Sequence, residues 1–375
     1  MKRFIILFVI CFIFCTVLIF SMSCSKSDQT YTIEIKDGVN YVHNNAPLWG
    51  DEPRISLEFV RQIGELDTDD ENLQFYRPRD IAFDNEDNMY ILDSGNYRIQ
   101  KFNKEGNYIL TIGRKGQGPS EFMSPTKICI DEKNNIYVRD TSKRYIVVLN
   151  PEGKQIRQIE FAGLVIDNFA ILSTGDFVVC GNDRNILRDL EKEYTTQILK
   201  IFDNKSKLIN EFGNSFNYGD RITNMMGNVI YFALDNSDNI YITFRHQNRV
   251  EKFSSDGKII FASNRPLNYE ISRPKQIIDL QTGFEIDDLN NVSEAIGIDH
   301  KGRIWISTIR NQKYKSNGTL EYDIEIYNDY GVLLCKIPFE ELPETAVFKK
   351  VNNDRIYLIE SRNEMCVYEY KIVDK

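Results

Sequence analysis

One block of sequence recurs along this chain and limits what it can become. IAFDNEDNMYILDSGNYRIQKFNKEGNYILTIG runs from Ile81 to Gly113 and contains four apolar-rich runs joined by three turns. The runs, Arg79–Asp84, Asn88–Asp93, Tyr97–Asn103 and Asn107–Gly113, are rich in Ile, Tyr and Phe, as half-buried strands require. The Asn85-Glu86-Asp87-Asn88 and Lys104-Glu105-Gly106-Asn107 turns carry the residues that accept positive φ in a tight hairpin. A lone four-stranded meander leaves both faces bare and needs neighbours. The neighbours are copies of itself, beginning at Ile128, Ile230 and Ile296, with a weaker copy from Phe169 that resumes at Ile198 after an insertion. A last copy, Val351 to Ile372, lacks its fourth strand.

The missing strand has a candidate at the other end of the chain. Ile55–Gly64 reads like the fourth-strand segment Tyr108–Gly113, and each is followed by a loop and a similar repeat start, Arg77-Pro78-Arg79-Asp80-Ile81 or Pro125-Thr126-Lys127-Ile128. Repeats of this length form radial arrays. The expected fold is therefore all-β: a six-bladed β-propeller of four-stranded antiparallel blades, closed by an N-terminal strand that completes the C-terminal blade. Closure removes the open sheet edges on which such chains aggregate. The expected domains are a signal peptide over 1–23, a tether with a small hairpin over 24–54, and the propeller over 55–375.

The leader is basic at Lys2-Arg3, apolar from Phe4 to Phe20, and ends in Ser21-Met22-Ser23-Cys24. Small residues before Cys24 resemble the lipobox of bacterial lipoproteins, with Ser21 where the usual box has Leu. That resemblance implies lipidation of Cys24 and anchoring to a bacterial membrane outside the cytoplasm, on the periplasmic side or the cell surface. An uncleaved anchor is the alternative, because the apolar run is at the lower limit for spanning a bilayer. The net charge of −9 would become −11 without Lys2 and Arg3, which disfavours nucleic acid as a partner. Beyond the leader, Cys129, Cys180, Cys335 and Cys366 lie in strand patterns of different blades, as small buried side chains; a disulfide between neighbouring blades stays open. The hairpin at 31–44 is expected outside or at one end of the ring, with Trp49 as its packing anchor.

The connections are unequal. First-to-second and third-to-fourth strand turns are short throughout, whereas second-to-third and blade-to-blade connections are long, among them 113–126, 181–197, 213–227, 263–293 and 309–320. These two sets emerge on opposite faces of a propeller, so one face is elaborated, and long loops on a rigid scaffold carry binding function.

The blade pattern, above all Arg77–Ile81, Asn88–Asp93, Gly95–Ile99 and Gly113–Phe122, resembles NHL-type six-bladed β-propellers, and more closely the propeller lipoproteins common among gut bacteria. The resemblance implies architecture rather than a reaction, since one propeller scaffold serves many functions. Candidate ligand-binding residues on the elaborated face are Arg79 at a repeat start, Arg114, Lys115 and Gln117 in a glycine-rich basic stretch, and Arg245 and His246 in the second-to-third loop of the fourth blade. The glycines also read as a compact inter-blade turn, and His246 also reads as an exposed loop residue. Asp84-x-Glu86-x-Asn88 and Asp235-x-Ser237-x-Asn239 superficially resemble calcium loops, but they lack the sixth-position Gly and twelfth-position Glu and read as turns. Asp93 with Arg98, and Asp140 with Arg144, read as cross-strand braces. No cofactor, metal or catalytic residue is assigned. The leading reading is a monomeric, membrane-anchored binding module for a peptide, glycan or envelope protein. The alternative is a metal-dependent extracytoplasmic lyase or lactonase with its active site in the channel.

Overall fold

The computed structural model describes residues 29–184, 197–271, 275–278, 285–288, 290–312, 321–338, 342, 343 and 345–375. The leader, Cys24 and parts of the long connections lie outside these residues.

Alternating apolar positions and Asx-rich turns give six four-stranded antiparallel blades, the fourth extended by the N-terminal hairpin into a six-stranded sheet. An N-terminal hairpin, β1 (Tyr31–Lys36) and β2 (Val39–Asn44), is followed by β3 (Ile55–Ile63). Blade 1 is β4 (Pro78–Phe83), β5 (Met89–Asp93), β6 (Arg98–Phe102) and β7 (Tyr108–Ile112). Blade 2 is β8 (Pro125–Ile130), β9 (Ile136–Asp140), β10 (Ile146–Leu149) and β11 (Gln155–Ile159). Blade 3 is β12 (Leu164–Ile171), β13 (Phe177–Asp183), β14 (Gln197–Phe202) and β15 (Leu208–Asn214). A short helix, α1 (Arg221–Gly227), leads to blade 4: β16 (Ile230–Leu234), β17 (Ile240–Phe244), β18 (Arg249–Phe253) and β19 (Ile259–Asn264). A two-stranded ribbon, β20 (Lys275–Ile278) and β21 (Glu285–Asp288), precedes blade 5: β22 (Ser293–Ile298), β23 (Ile304–Asn311), β24 (Glu321–Tyr327) and β25 (Leu333–Pro338). Blade 6 is β26 (Val347–Asn352), β27 (Arg355–Glu360) and β28 (Cys366–Asp374), with β3 as its fourth strand.

That pairing closes the ring as expected. Ile63 lies opposite Val367 and Ile55 opposite Asp374, so the first long strand and the last are antiparallel neighbours. The inner strands β4, β8, β12, β16, β22 and β26 each adjoin the next and surround the channel. Apolar clusters fill the wedges between blades; one joins Ile63 and Phe75 to Ile81, Phe102 and Val367 across the closure. The hairpin packs outside the ring: β2 runs parallel to β19, the outer strand of blade 4. Asn44, buried there, donates to Ser263 Oγ, Asn264 O and Gly331 O and accepts from Leu333 N, tying blade 4 to blade 5. Leu48 and Trp49 then bond through their amides to Leu333 and Leu334, and Trp49 packs against the core between blades 5 and 6.

The short turns share one construction. In blade 1, Asp84 Oδ1 accepts from the amides of Glu86 and Asn88 and Oδ2 from Asn88 Nδ2 and the Tyr90 hydroxyl, with Lys101 Nζ at 3.1 Å. Asp131 and Asp235 repeat this with Tyr137 and Tyr241, and Asp299 repeats it with Arg303 and Trp305. The fourth turn residue takes positive φ, as at Asp87 (60°), Asn134 (61°) and Asp238 (60°). The carboxylates that resembled calcium ligands are thus filled by their own turns. All four cysteines described are free thiols.

Candidate functional site

A repeated irregularity shapes the mouth of the channel on the long-loop side. In five of the six blades the inner strand carries a β-bulge near its start: Arg79 in blade 1, Thr126 in blade 2, Asp167 in blade 3, Glu294 in blade 5 and Lys349 in blade 6 are the extra residues. A bulge re-aims a side chain out of the pleat and is common beside functional sites. Each inner strand runs from the long-loop face toward the short-turn face, so all five bulges sit at the same end of the channel.

The charges gathered here are mostly positive. Lys127 ion-pairs with Asp80 at 3.3 Å, linking blades 1 and 2. Burial opposes the charge on Lys127, but Asp80 prevails and raises its pKa. Lys349 and Lys350 form no ion pair among the described residues. Desolvation, with the nearby charge of Lys127, lowers both pKa values; Arg79 acts in the same sense on Lys349, while Asp80 and Glu294 partly offset the effect. Lys350 is exposed to solvent. Arg139, at the end of β9, reaches inward and donates through Nη1 to Thr126 Oγ1 at 2.7 Å. Desolvation lowers its pKa and Asp167 works against that. Five cations, Arg79, Lys127, Arg139, Lys349 and Lys350, therefore face three carboxylates, Asp80, Asp167 and Glu294, in a chain that is acidic overall. Such a concave cluster concentrates anions.

Of the candidates from sequence, Arg79 belongs to this mouth. The glycine-rich stretch is folded on itself: Glu121 accepts from Arg114 Nε at 2.9 Å and from the Gly118 amide, and Phe122 bonds through its backbone to Arg114 and Gly116. Gly113 has φ +84°, and a Cβ there would lie 2.3 Å from the Phe122 ring, so the compact-turn reading holds. Lys115 sits over the Tyr97 ring at 5.1 Å, and Gln117 is exposed. Arg245 donates through Nε to Asn291 Oδ1. His246 is buried rather than exposed; its Nδ1 lies 2.9 Å from the Asn290 carbonyl, and desolvation lowers its pKa. No hydrogen bond or ion pair among the described residues joins Arg114, Lys115 or Gln117 with Arg79 or Arg245. Asp93 braces Arg98 at 2.8 Å as expected. Asp140 does not pair with Arg144: it accepts from the Met123 and Ser124 amides and from Ser142. Lys127, Arg139, Lys349 and Lys350 escaped the sequence reading. For Lys127, Lys349 and Lys350 the signal was a polar pair preceding an apolar residue at the repeat start, as in Lys349-Lys350-Val351 beside Arg79-Asp80-Ile81; Arg139, at the end of β9, carried no such signal.

Two cavities lined by described residues flank the ring. One of about 150 Å³ lies on the long-loop side between blades 2 and 3, lined by Arg139, Lys143, Arg144 and Arg184 among others. A larger one, of about 330 Å³, opens on the short-turn side across the closure, where Arg61 and Arg355 bracket Glu369. The face expected to be plain therefore also holds a hollow. Among the described residues no group of three or more His, Cys, Asp or Glu side chains could hold a metal ion.

Six four-stranded blades around a polar channel, with the last sheet completed from the N-terminus, define a closed six-bladed β-propeller. The chain belongs to the DUF5128 family, described as 6-bladed beta-propeller, whose profile matches residues 56–264. A comparison with curated proteins gives no match. Among solved structures, a Bacteroides fragilis protein described as exported is similar in fold: 14% identity, 89% of this chain and 98% of that one, TM-score 0.57. A DUF4221 family member of Bacteroides vulgatus gives 12% identity, 86% and 99% coverage, and a TM-score of 0.55. A gluconolactonase of Xanthomonas campestris gives 12% identity, 84% and 95% coverage and a TM-score of 0.48, a level that carries nothing about chemistry.

Proposed function

We propose that this protein is a membrane-anchored, extracytoplasmic binding propeller that takes an anionic ligand, an acidic glycan or peptide segment, at the long-loop mouth of its channel. The observation behind this is the ring of bulges that brings Arg79 and Lys349 to one opening, above Lys127 and Lys350, within an acidic chain. The leader over 1–23 and Cys24 support export and lipid anchoring, and the exported Bacteroides fragilis relative agrees with export. The lyase or lactonase alternative would require a metal, and the described residues do not form a site that fits one.

The test is titration of the full chain with acidic and neutral oligosaccharides and peptides at two salt concentrations. Acidic ligands should bind more weakly at high salt, because exposed charge pairs are screened. Lys349→Ala combined with Lys350→Ala should weaken binding by about tenfold or more, the weight of one or two charge-assisted hydrogen bonds. Equal binding of neutral ligands, or an unchanged affinity in the double variant, would remove the mouth from consideration.

A further inference from the structure

The smaller cavity, between blades 2 and 3, has a chemistry of its own. Arg139, Lys143, Arg144 and Arg184 line it, together with Thr141 and Tyr145, over an apolar floor of Ile146, Leu164, Val165 and Ile166. Among the described residues no carboxylate lines it; Glu160 reaches Arg184 from outside at 3.7 Å. Three of the cations have other contacts: Arg139 with Thr126, Lys143 with the Glu121 carbonyl, and Arg184 with the Leu164 carbonyl. Arg144 has no hydrogen-bond or ion-pair partner among the described residues. Val165 is exposed, an apolar side chain at the edge of a cationic pocket. The volume of about 150 Å³ equals that of cavities that admit a single six-membered ring.

From this juxtaposition we infer a second binding site, for a carboxylate borne on a compact apolar group: the acid would meet Arg144 and its neighbours while the apolar body rests on Leu164, Val165 and Ile166. Arginine forks match carboxylates in a way that a lone lysine does not. An apolar floor beside the cations separates such a ligand from bare inorganic anions, which gain nothing there. The same chemistry occurs in a free small organic acid and in the C-terminal residue of a peptide that ends in an apolar side chain. The site shares only Arg139 with the channel mouth and does not depend on the function proposed for it.

The experiment is calorimetric titration of the full chain with benzoate, benzyl alcohol and inorganic phosphate. A short peptide ending in Leu, as the free acid and as the amide, forms a further arm. Benzoate should bind, with benzyl alcohol and phosphate each weaker by about tenfold or more, since each lacks one half of the recognition. Arg144→Glu, which breaks no hydrogen bond or ion pair among the described residues, should weaken benzoate by a similar factor, and Arg184→Gln should do so less. Lys349→Ala with Lys350→Ala should leave benzoate binding unchanged. A free-acid peptide that outbinds both its amide and benzoate identifies a chain end as the source; an advantage for benzoate identifies a small acid. Phosphate binding as well as benzoate, no benzoate binding, or indifference to Arg144→Glu would each overturn the inference. Loss of acidic-oligomer binding at the mouth with benzoate binding intact, or the reverse, separates the two sites.

Discussion

Arg265 and Glu325 show how far a single residue pair reaches in this molecule. Both side chains are fully buried between blades 4 and 5, with Arg265 Nε 2.8 Å from Glu325 Oε2, the Tyr327 hydroxyl donating to the same oxygen, and Lys336 Nζ 3.0 Å from Oε1. Arg265 also donates to Ser293 and Thr308. Desolvation alone would raise the Glu325 pKa, but Arg265 and then Lys336 override it and bring it to about 2. The sign follows: unfolded Glu325 takes up its proton near 4.5, folded Glu325 only near 2, so the stabilisation is complete above about pH 4.5 and drains away as pH falls toward 2. Melting temperature followed across that range should fall, and Glu325→Gln should flatten this part of the profile. The variant should also lose about 3–5 kcal/mol in denaturant unfolding, because Arg265 is left buried without its counter-charge. A second prediction concerns the turns. Asp235→Ala strands the Ser237 and Asn239 amides and the Tyr241 hydroxyl and should cost about 1–3 kcal/mol. Calcium should leave the wild-type melting temperature unchanged, since the same carboxylate is already committed to its turn.

Among elements, β3 has the greatest leverage. It is distant in sequence from its partner β28 but supplies the outer edge of blade 6 and, through Ile63, the core shared with blade 1. Ile63→Asp should destabilise the chain by about 3 kcal/mol or more, as a charge placed in an apolar cluster without a partner does. It should also free the edge of β28, so chromatography should show association before urea unfolding is complete. This closure could be read from sequence because β3 repeats the fourth-strand signature in Ile55–Gly64. Strand and turn patterns are local, so the blades were equally legible. The bulges were not. A bulge is a property of two strands in register, and Lys349 followed by Lys350 looks merely like a polar interruption until Phe348 and Lys350 are seen to face Leu358 and Tyr357. His246 shows the same limit: only its contact with the distant Asn290 reveals that a loop histidine is buried.

For the molecule as a whole, the inequality of the two faces was visible in loop lengths, but what each face does was not. The short turns bond across blades, Asn85 to Glu132 and Asn134, Ser173 to Asp238, and Asn352 and Asn353 to Asp87, and so hold the ring together on that side. At the opposite opening Lys349 and Lys350 have no ion-pair partner among the described residues. The hairpin outside blade 4 adds a geometric constraint. β19 climbs toward the long-loop side, β2 runs parallel to it, and β1 returns, so Tyr31 emerges level with Asn44 at the upper rim. Six residues lie between Cys24 and Tyr31, a leash of at most about 25 Å even when fully extended. With Cys24 acylated, the propeller would hang with its lysine-lined opening turned toward the headgroups and its short-turn side toward bulk solvent. Inserting a long Gly/Ser spacer after Ser27 should then speed capture of large acidic ligands by vesicle-bound protein while leaving small ones unaffected. Identical kinetics for both would show that the opening already looks outward. An anchored propeller held this way would sample the thin layer between itself and the surface carrying it.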